Sequence, residues 1–299
     1  MSSPQQIRTE ITQQIIAALE AGVVPWRRPW RLDPNAGAPS NLVSRKPYHG
    51  INILLLELHS MQHHLASKWW GTFAQVKGLG GSVKRRPDDV QPGQWGCHIV
   101  LFRPVSRLVV DKATGEEKRK EFRLMRYFTV FNADQCEGIE RFQMTEEMDV
   151  PAFSPDFSRV EQVIAASKAE IRFGGEQAFY TCPPADHITM PRRSRFLNDG
   201  AYYETLLHEL AHWAEVRTGW DSTKEGYATG ELVAELAACF LATELGVPHG
   251  EPLHNHAAYI GGWLQAMRGD PNVIFRAASQ ASKVTDFILT HVRAEQAAA

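Results

Sequence analysis

The sequence predicts a two-domain α+β protein: an α+β half over residues 1–138, a linker over 139–157 and a mainly helical half over 158–299. Three observations carry this. Runs rich in β-branched and aromatic residues, which read as strands, concentrate before residue 138. Long stretches of helical periodicity concentrate after residue 156. The charge divides in the same place. Residues 1–138 hold 19 Lys+Arg against 12 Asp+Glu, a net +7, and the remainder holds 13 against 22, a net −9, although the whole chain sums to −2. Such a split suggests domains with different partners, the basic one meeting a polyanion.

The first half opens with Ile7, Ile11, Ile15 and Ala18–Leu19 at helical spacing. Gly22 is placed to end that helix, and Pro25 follows. After the irregular PWRRPWRLDPNAGAPS, a second helix is expected over about 50–66 and a short third over 72–78. GCHIVLFRPV, SRLVVDK and RLMRYFTVFNADQ read as separate strands, with DKATGEEKRKE as a charged hairpin connection between the last two. Residues 139–157 carry acidic residues and prolines with little periodicity, hence the linker.

The second half starts with a helix over about 156–171, then short strands near 178–180 and 187–190. Two long helices follow, over about 200–217 and 229–245. Gly219 lies past the first, and Gly246 and Pro248 stop the second. Helices over about 254–268 and 271–292 close the chain.

At 299 residues and 43% hydrophobic content, the chain can bury one large core or two ordinary ones. It has no apolar run of 18 residues, so no membrane span is expected. Nor is there a basic opening followed by an apolar segment, so a cytoplasmic location is expected. The four cysteines are far apart and form no C-x-x-C pair, which reads as free thiols in a reducing compartment.

The decisive motif is His208-Glu209-Leu210-Ala211-His212, inside YYETLLHELAHWAEV, a segment without Pro or Gly. Positions i and i+4 share one face of a helix, so both imidazoles can reach one ion. Glu209 then points at a metal-bound water, whose pKa the ion lowers towards ~7, and serves as general base. The third ligand is expected from GELVAEL, where Glu231 and Glu235 lie four apart and face one way. Glu231 is preferred as ligand, completing a His₂Glu shell, with Glu235 holding a ligand imidazole by its other nitrogen. Zinc, one per chain, is the expected ion, with manganese as an alternative. His187 precedes a possible edge strand that could pair with an extended peptide. Tyr202, Tyr203 or Tyr227 could donate to a developing oxyanion, although packing accounts for them as well. His254 and His256 are left out of the shell, because three ligands are already found.

Five of the eight tryptophans precede residue 139, and two alternate with arginine in PWRRPWR. Aromatic faces stack on unpaired bases and arginines hold phosphates, which favours a single strand over a duplex. The expected DNA-binding residues are Trp26, Arg27, Arg28, Trp30 and Arg31, with Lys84, Arg85 and Arg86 from a basic loop. Lys46 adds charge, and Asn41, Tyr48, Asn52, Thr72 and Gln75 could supply neutral contacts. Trp70 and Trp95 read as core.

Several segments then carry a resemblance. ALEAGVVPWRRPW, PSNLVSRKPYHGINILLL, WGTFAQVKGLGGSVKR and RYFTVFNADQ resemble the N-terminal domain of ArdC-type plasmid antirestriction proteins, also found in TraC-type primases. YYETLLHELAHW, YATGELVAELAACFL and AAYIGGWLQAM resemble the zincin-like metallopeptidase domain that accompanies it. The resemblance spans nearly the whole chain. It implies single-stranded DNA binding by the first domain, a conjugative-plasmid setting, and metal ligation by His208, His212 and Glu231. One departure follows Val83: where the family continues with a Gly-Glu-Lys-Gly-like turn, this chain reads KRRPDDVQPGQWG.

The expected function is antirestriction: a zinc peptidase tethered to single-stranded DNA, acting on a protein such as a restriction component. Two alternatives stand beside it. One is a protein that covers single-stranded DNA without proteolysis, its metal structural. The other is a SprT-like, DNA-dependent repair protease. A two-metal nuclease lacks the clustered Asp/Glu set it would need.

Overall fold

The computed structural model describes residues 4–26, 34–110, 117–144, 156–248 and 257–298. Helix α1 (Pro4–Glu20) buries the stripe Ile7, Ile11, Ile15 and Leu19. Strand β1 (Ser40–Asn41) leads to α2 (Ile51–Gln62), which starts after Gly50. Gly50 has a φ of 59°, a conformation glycine takes without steric cost. Its N–H donates to Ser282 Oγ at 2.8 Å, tying α2 to the far end of the chain. Then come β2 (Trp69–Gly71), α3 (Phe73–Gly78) and β3 (Ser82–Val83).

A long hairpin of β4 (Cys97–Val110) and β5 (Glu117–Asn132) follows, then β6 (Cys136–Glu137). The main sheet has the order β1-β2-β5-β4, and β3 pairs with β6. Here the structure corrects the sequence reading. GCHIVLFRPV and most of SRLVVDK form one strand, β4, and residues 117–121 of the expected connection belong to β5. Pro104 did not break the strand because β4 is the sheet edge, where a missing N–H removes no ladder bond. Val100, on the same alternation, sends its N–H outward to Asn52.

In the second half α4 (Ser158–Ser167) is shorter than expected. Lys168 takes the left-handed conformation, φ 58°, and residues after it form β7 (Glu170–Phe173). β8 (Phe179–Thr181) and β9 (His187–Met190) complete a sheet of order β7-β9-β8. Helices α5 (Asp199–Arg217), α6 (Ser222–Glu225), α7 (Tyr227–Leu245), α8 (Ala257–Gly269) and α9 (Val273–Ala298) follow. Every residue of α7 from Thr229 to Ala242 is buried. A helix apolar on all sides belongs at the centre of its domain, and α7 packs against α5, α8 and α9. Among the described residues no helix is long and apolar enough to cross a membrane.

The architecture is two-domain, yet the largest buried cluster is continuous between the halves. Trp26 is 2% exposed and meets Trp263 of α8 edge-on, ring centroids 5.9 Å apart. Thr12 Oγ1 donates to the Pro271 carbonyl at 2.7 Å, and Arg8 Nη1 to Asn272 Oδ1 at 2.7 Å. A smaller cluster comprises Leu42, Val76, Ala133, Cys136, Ile139 and Phe142, so the start of the expected linker packs into the first half. Cys97, Cys136 and Cys239 are buried, Cys182 is exposed, and all four are free thiols.

Two predictions follow from this packing. Truncating a buried tryptophan removes a large apolar surface and leaves a cavity, so Trp26→Ala should cost about 3–5 kcal/mol in urea denaturation. Asp270 accepts from Arg276 Nη1 at 2.7 Å and from Asn272, and Arg276 above all holds its carboxyl down at about 2. A depressed carboxyl stabilises above the unfolded pKa of ~3.9 and loses that contribution as the pH falls through the folded one. Asp270→Asn should therefore lower Tm at pH 7, and its gap from the unaltered chain should close between about pH 4 and pH 2.

Candidate metal centre

Helix α5 starts where Asn198 Oδ1 accepts the N–H of Ala201, satisfying one of the unpaired donors of the first turn. Leu206, Leu207, Leu210, Ala211 and Ala214 bury its core face. That fixes the rotation of the helix, and His208 and His212 meet edge-to-face one turn apart, ring centroids 4.9 Å apart. Glu231 comes from the first turns of α7. Its Oε2 lies 3.5 Å from His208 Nε2 and its Oε1 lies 3.7 Å from His212 Nε2. One ligand atom from each of the three residues falls within 4.8 Å of the others.

These separations suit a cation. Donors at ~2.0–2.1 Å on a tetrahedral ion stand about 3.3 Å apart. The surroundings suit one too: Glu209, Glu215, Glu231 and Glu235 are all buried, at 5–8% exposure, against two imidazoles. Buried carboxylates in such excess need a cation to balance them. His212 Nδ1 lies 3.1 Å from Glu215 Oε2, and His208 Nδ1 lies 3.8 Å from Glu235 Oε2. Each imidazole thus has a carboxylate behind the nitrogen that faces away from Glu231, the arrangement that orients ligand histidines.

The electrostatics follow from burial and pairing. Burial pushes the Glu209 carboxyl above its usual range. Nearby Glu231 adds to the rise, while His208, His212 and the Tyr180 backbone N–H oppose it. Burial alone would raise Glu231 as well, but the hydrogen bonds of both histidines outweigh it and hold the carboxyl below the ordinary range. For His212 burial works downward, and Glu215 and Glu231 together overcome it, lifting the ring to about 10.

Strand β8 is one edge of the three-stranded sheet, and its Tyr180 N–H reaches Glu209. The Tyr180 hydroxyl donates to Asp186 Oδ1 at 2.7 Å, and Arg217 Nη2 donates to Asp186 Oδ2 at 2.6 Å. The Arg217 guanidinium lies 3.8 Å from the Trp213 ring centroid. This bracket fastens the β8–β9 pair to the last turn of α5.

The sequence reading missed Glu215, Tyr180, Asp186 and Arg217. Glu215 had a signal, since it lies three residues beyond His212 on the same helix; the other three meet only in the tertiary fold. His187 sits on β9, the central strand, so the edge is β8 instead. Its Nδ1 faces the Ala185 carbonyl at 3.3 Å and is not among the clustered ligands. Tyr202 and Tyr203 are buried, and the Tyr203 hydroxyl donates to Glu161. Tyr227 differs from both: its hydroxyl hydrogen-bonds Glu231 and Tyr259. His254 and His256 lie outside the described residues.

The expected DNA contacts fare unevenly. Arg27, Arg28, Trp30 and Arg31 lie outside the described residues. Trp26 is a correction, because an indole buried against Trp263 cannot stack on a base. Asn52 is another: its side chain bonds both the N–H and the carbonyl of Val100, closing the β4 edge. Thr72 and Gln75 form the capping box of α3, and Asn41 joins Gln75 to the Tyr48 hydroxyl. Asn41 Oδ1 also accepts the N–H groups of Val43 and Ser44, so these side chains hold the local backbone together. Arg86 donates to the Pro87 and Val90 carbonyls of its own loop. Lys84 Nζ donates to the Asp134 carbonyl, and Arg85 pairs with Asp88 across an almost fully exposed gap of 3.6 Å. Lys46 is exposed.

Residues 5–131 match the family model of the N-terminal domain of anti-restriction factor ArdC, and residues 158–280 match that of a zincin-like metallopeptidase. The metal-free crystal structure of antirestriction ArdC from plasmid R388 aligns with a TM-score of 0.73 at 32% identity. The alignment covers 96% of this chain and 97% of that one. The chain belongs to the ArdC antirestriction family. A Mn(II)-bound structure of the R388 ArdC aligns at a TM-score of 0.71 and 31% identity, over 95% and 97% of the two chains. The protein y4eC of Sinorhizobium fredii is 35% identical over 296 residues, 96% of this chain and 92% of that protein. Two DNA primases TraC of Escherichia coli are each 34% identical. The ArdC-like chain covers 93% and 94% of itself in those matches but spans only 19% and 27% of the primases. The family membership brings a plasmid-related setting, and the donor set fits the divalent metal of a zincin-like domain.

Outer carboxylates of this kind tune affinity ten- to a hundredfold. Glu215→Ala should therefore weaken metal binding by roughly 10–100-fold in chelator competition, with Glu235→Ala acting in the same direction.

Proposed function

We propose that this chain is an antirestriction protein of a conjugative plasmid. In this reading it binds single-stranded DNA through residues 1–138 and hydrolyses peptide bonds through residues 158–299, with 139–157 joining the two. Its action protects incoming DNA from host restriction. The observation that carries the reading is the convergence of His208, His212 and Glu231, with Glu209 beside them and outside the ligand set.

Zinc suits a His₂Glu shell, and manganese is the alternative that the R388 ArdC structure names. When bound, such an ion acidifies water and polarises a carbonyl. The residues of the chain do the rest. Glu209, its carboxyl raised by burial, takes and returns the proton as general base. Tyr227 holds Glu231 from the open side of the site. The free edge of β8, beside Glu209, offers main-chain groups to an extended peptide. The substrate in this reading is a protein that acts on DNA, such as a restriction component, met in the cytoplasm of the recipient.

The deciding experiment measures protection of incoming DNA from restriction in recipient cells, comparing Glu209→Ala with the unaltered chain at matched expression. Removing a general base costs ~10²–10⁴ in rate, so protection should fall to the level of cells lacking the protein while metal and DNA are still bound. Full retention of protection would remove proteolysis from the mechanism and leave coverage of the DNA strand as the function.

A further inference from the structure

Several of the groups first expected to meet DNA are consumed by the fold, so recognition of a strand needs another site. A cavity of 440 Å³ in the first half supplies one, between α1, α2 and the start of the β4–β5 hairpin. That volume falls among small-ligand sites, which run ~300–1,000 Å³. Ile11, Leu55, Leu58 and Cys97 give it an apolar floor, all of them buried. Helical spacing builds two of its walls. Glu10 and Gln14 lie one turn apart on α1, and Leu55, Leu58, His59 and Gln62 recur along one face of α2.

The polar lining is short of partners. His59 is 8% exposed, and its Nε2 has no hydrogen-bond partner among the described residues, where a buried polar atom is ordinarily satisfied. Burial pushes this ring down to about 4, with His63 and His98 adding to the fall and the Trp95 backbone opposing it. The imidazole is therefore neutral at physiological pH, and a neutral imidazole keeps one bare nitrogen. The carboxamides of Gln14, Gln62 and Gln94 are exposed and make no hydrogen bond to another described residue. Flat faces complete the lining. His63 lies 4.4 Å from His59 between ring centroids, and His98 lies 6.0 Å from Tyr127. Burial, with Glu10 adding to it, pushes the Tyr127 hydroxyl up to about 12, so it keeps its proton. Among the described residues no lysine or arginine lines the cavity, and Glu10 is its one carboxylate.

These groups select a ligand class. A phosphate or carboxylate would meet a carboxylate here and no cation to hold it. Carboxamides and a neutral imidazole present donors and acceptors together, which suits an uncharged ligand carrying both on one edge. Aromatic faces suit a planar one. An unpaired nucleobase has all of these properties. We infer that this cavity takes one nucleobase of a single strand: Tyr127 stacks on the ring, Gln14 and Gln62 hydrogen-bond its edge, and an N–H of the base completes His59 Nε2. The sugar and phosphates stay outside. This rests on the reading that the first half binds single-stranded DNA, and it names the place where that half meets a base. A paired base has its edge occupied and its faces covered, so a duplex is refused unless the base is extruded.

The test uses the full metal-loaded chain and fluorescence anisotropy with two labelled strands of equal length, oligothymidylate and an abasic strand with the same phosphates. Oligothymidylate should bind roughly five- to a hundredfold tighter, the range a stacked base gives. Tyr127→Ala should remove most of that preference, as should the double variant Gln14→Ala, Gln62→Ala, and His59→Phe should reduce it while keeping a ring in place. None of these changes removes a lysine or arginine, so the abasic strand should bind as before, with the same salt dependence. Thymidine at millimolar concentration, the same base without a strand, should lower oligothymidylate binding and leave the abasic strand bound. An unchanged Tm and unchanged metal affinity would show that each variant is folded. If the unaltered chain prefers oligothymidylate and every cavity variant keeps that preference within twofold, the base is read elsewhere and the inference falls alone. If the two strands bind alike, no base is recognised, and the inference falls while strand binding through phosphates stands. If thymidine binds and oligothymidylate does not displace it, the cavity serves a free base and its assignment to a strand is refuted. If the unaltered chain binds neither strand, the inference falls together with the DNA-binding reading beneath it.

Discussion

Two carboxylates buried in the central helix set the terms for the rest of this molecule. α7 is apolar on all sides, yet it carries Glu231 and Glu235 at 8% and 5% exposure. A buried carboxylate without partners costs several kcal/mol, so the sequence around it has to supply cationic or hydrogen-bonding groups at short range. The face of α5 bearing His208 and His212 meets that demand. Glu215 then sits behind His212 and Glu235 behind His208, so the groups backing the imidazoles are themselves acidic. A site with more carboxylates than imidazoles is complete only with a cation in it. Burial, with a smaller push from Glu231, raises Glu209, while Glu231, held by both imidazoles, is driven the other way.

The outward parts of the second half read as consequences of that arrangement. α5 must keep its rotation, or both imidazoles leave the ion. Apolar packing fixes one face, and the Tyr180–Asp186–Arg217 bracket fixes the C-terminal turn against the β8–β9 pair. The bracket also places the β8 edge beside Glu209. The two halves are joined through side chains rather than through a linker alone. Trp26 enters the core beside Trp263, and α1 is bonded to the turn between α8 and α9. A load on the basic half is therefore mechanically connected to the helices that pack on α7.

The first half follows a different logic. Its polar residues were expected to face a ligand, and several instead hold the fold. Asn52 closes an exposed sheet edge, Thr72 and Gln75 cap a short helix, and Asn41 bridges them to Tyr48. Each does what an amide or hydroxyl does when backbone donors and acceptors would otherwise be unpaired. On the hairpin Leu101 and Phe128 are exposed, while Cys97, Val100, Met125 and Val130 join the core.

By itself the sequence determined the helices with strong periodicity, the His208–Glu209–His212 face, and Glu231 as its partner. All of these depend on spacing along a helix, and helical geometry converts spacing into direction without any knowledge of the rest of the chain. It also displayed the charge asymmetry that separates the halves. Only the tertiary structure decided that Trp26 is core, that β9 is a central strand and β8 the edge, and that GCHIVLFRPV and SRLVVDK are one strand. Pro104 is accommodated within that strand because the sheet order places it on an outer edge. Glu215, Asp186 and Arg217 acquired their roles in the same way. Burial, edge position and long-range pairing depend on which elements come to lie side by side, and local propensity carries no record of that.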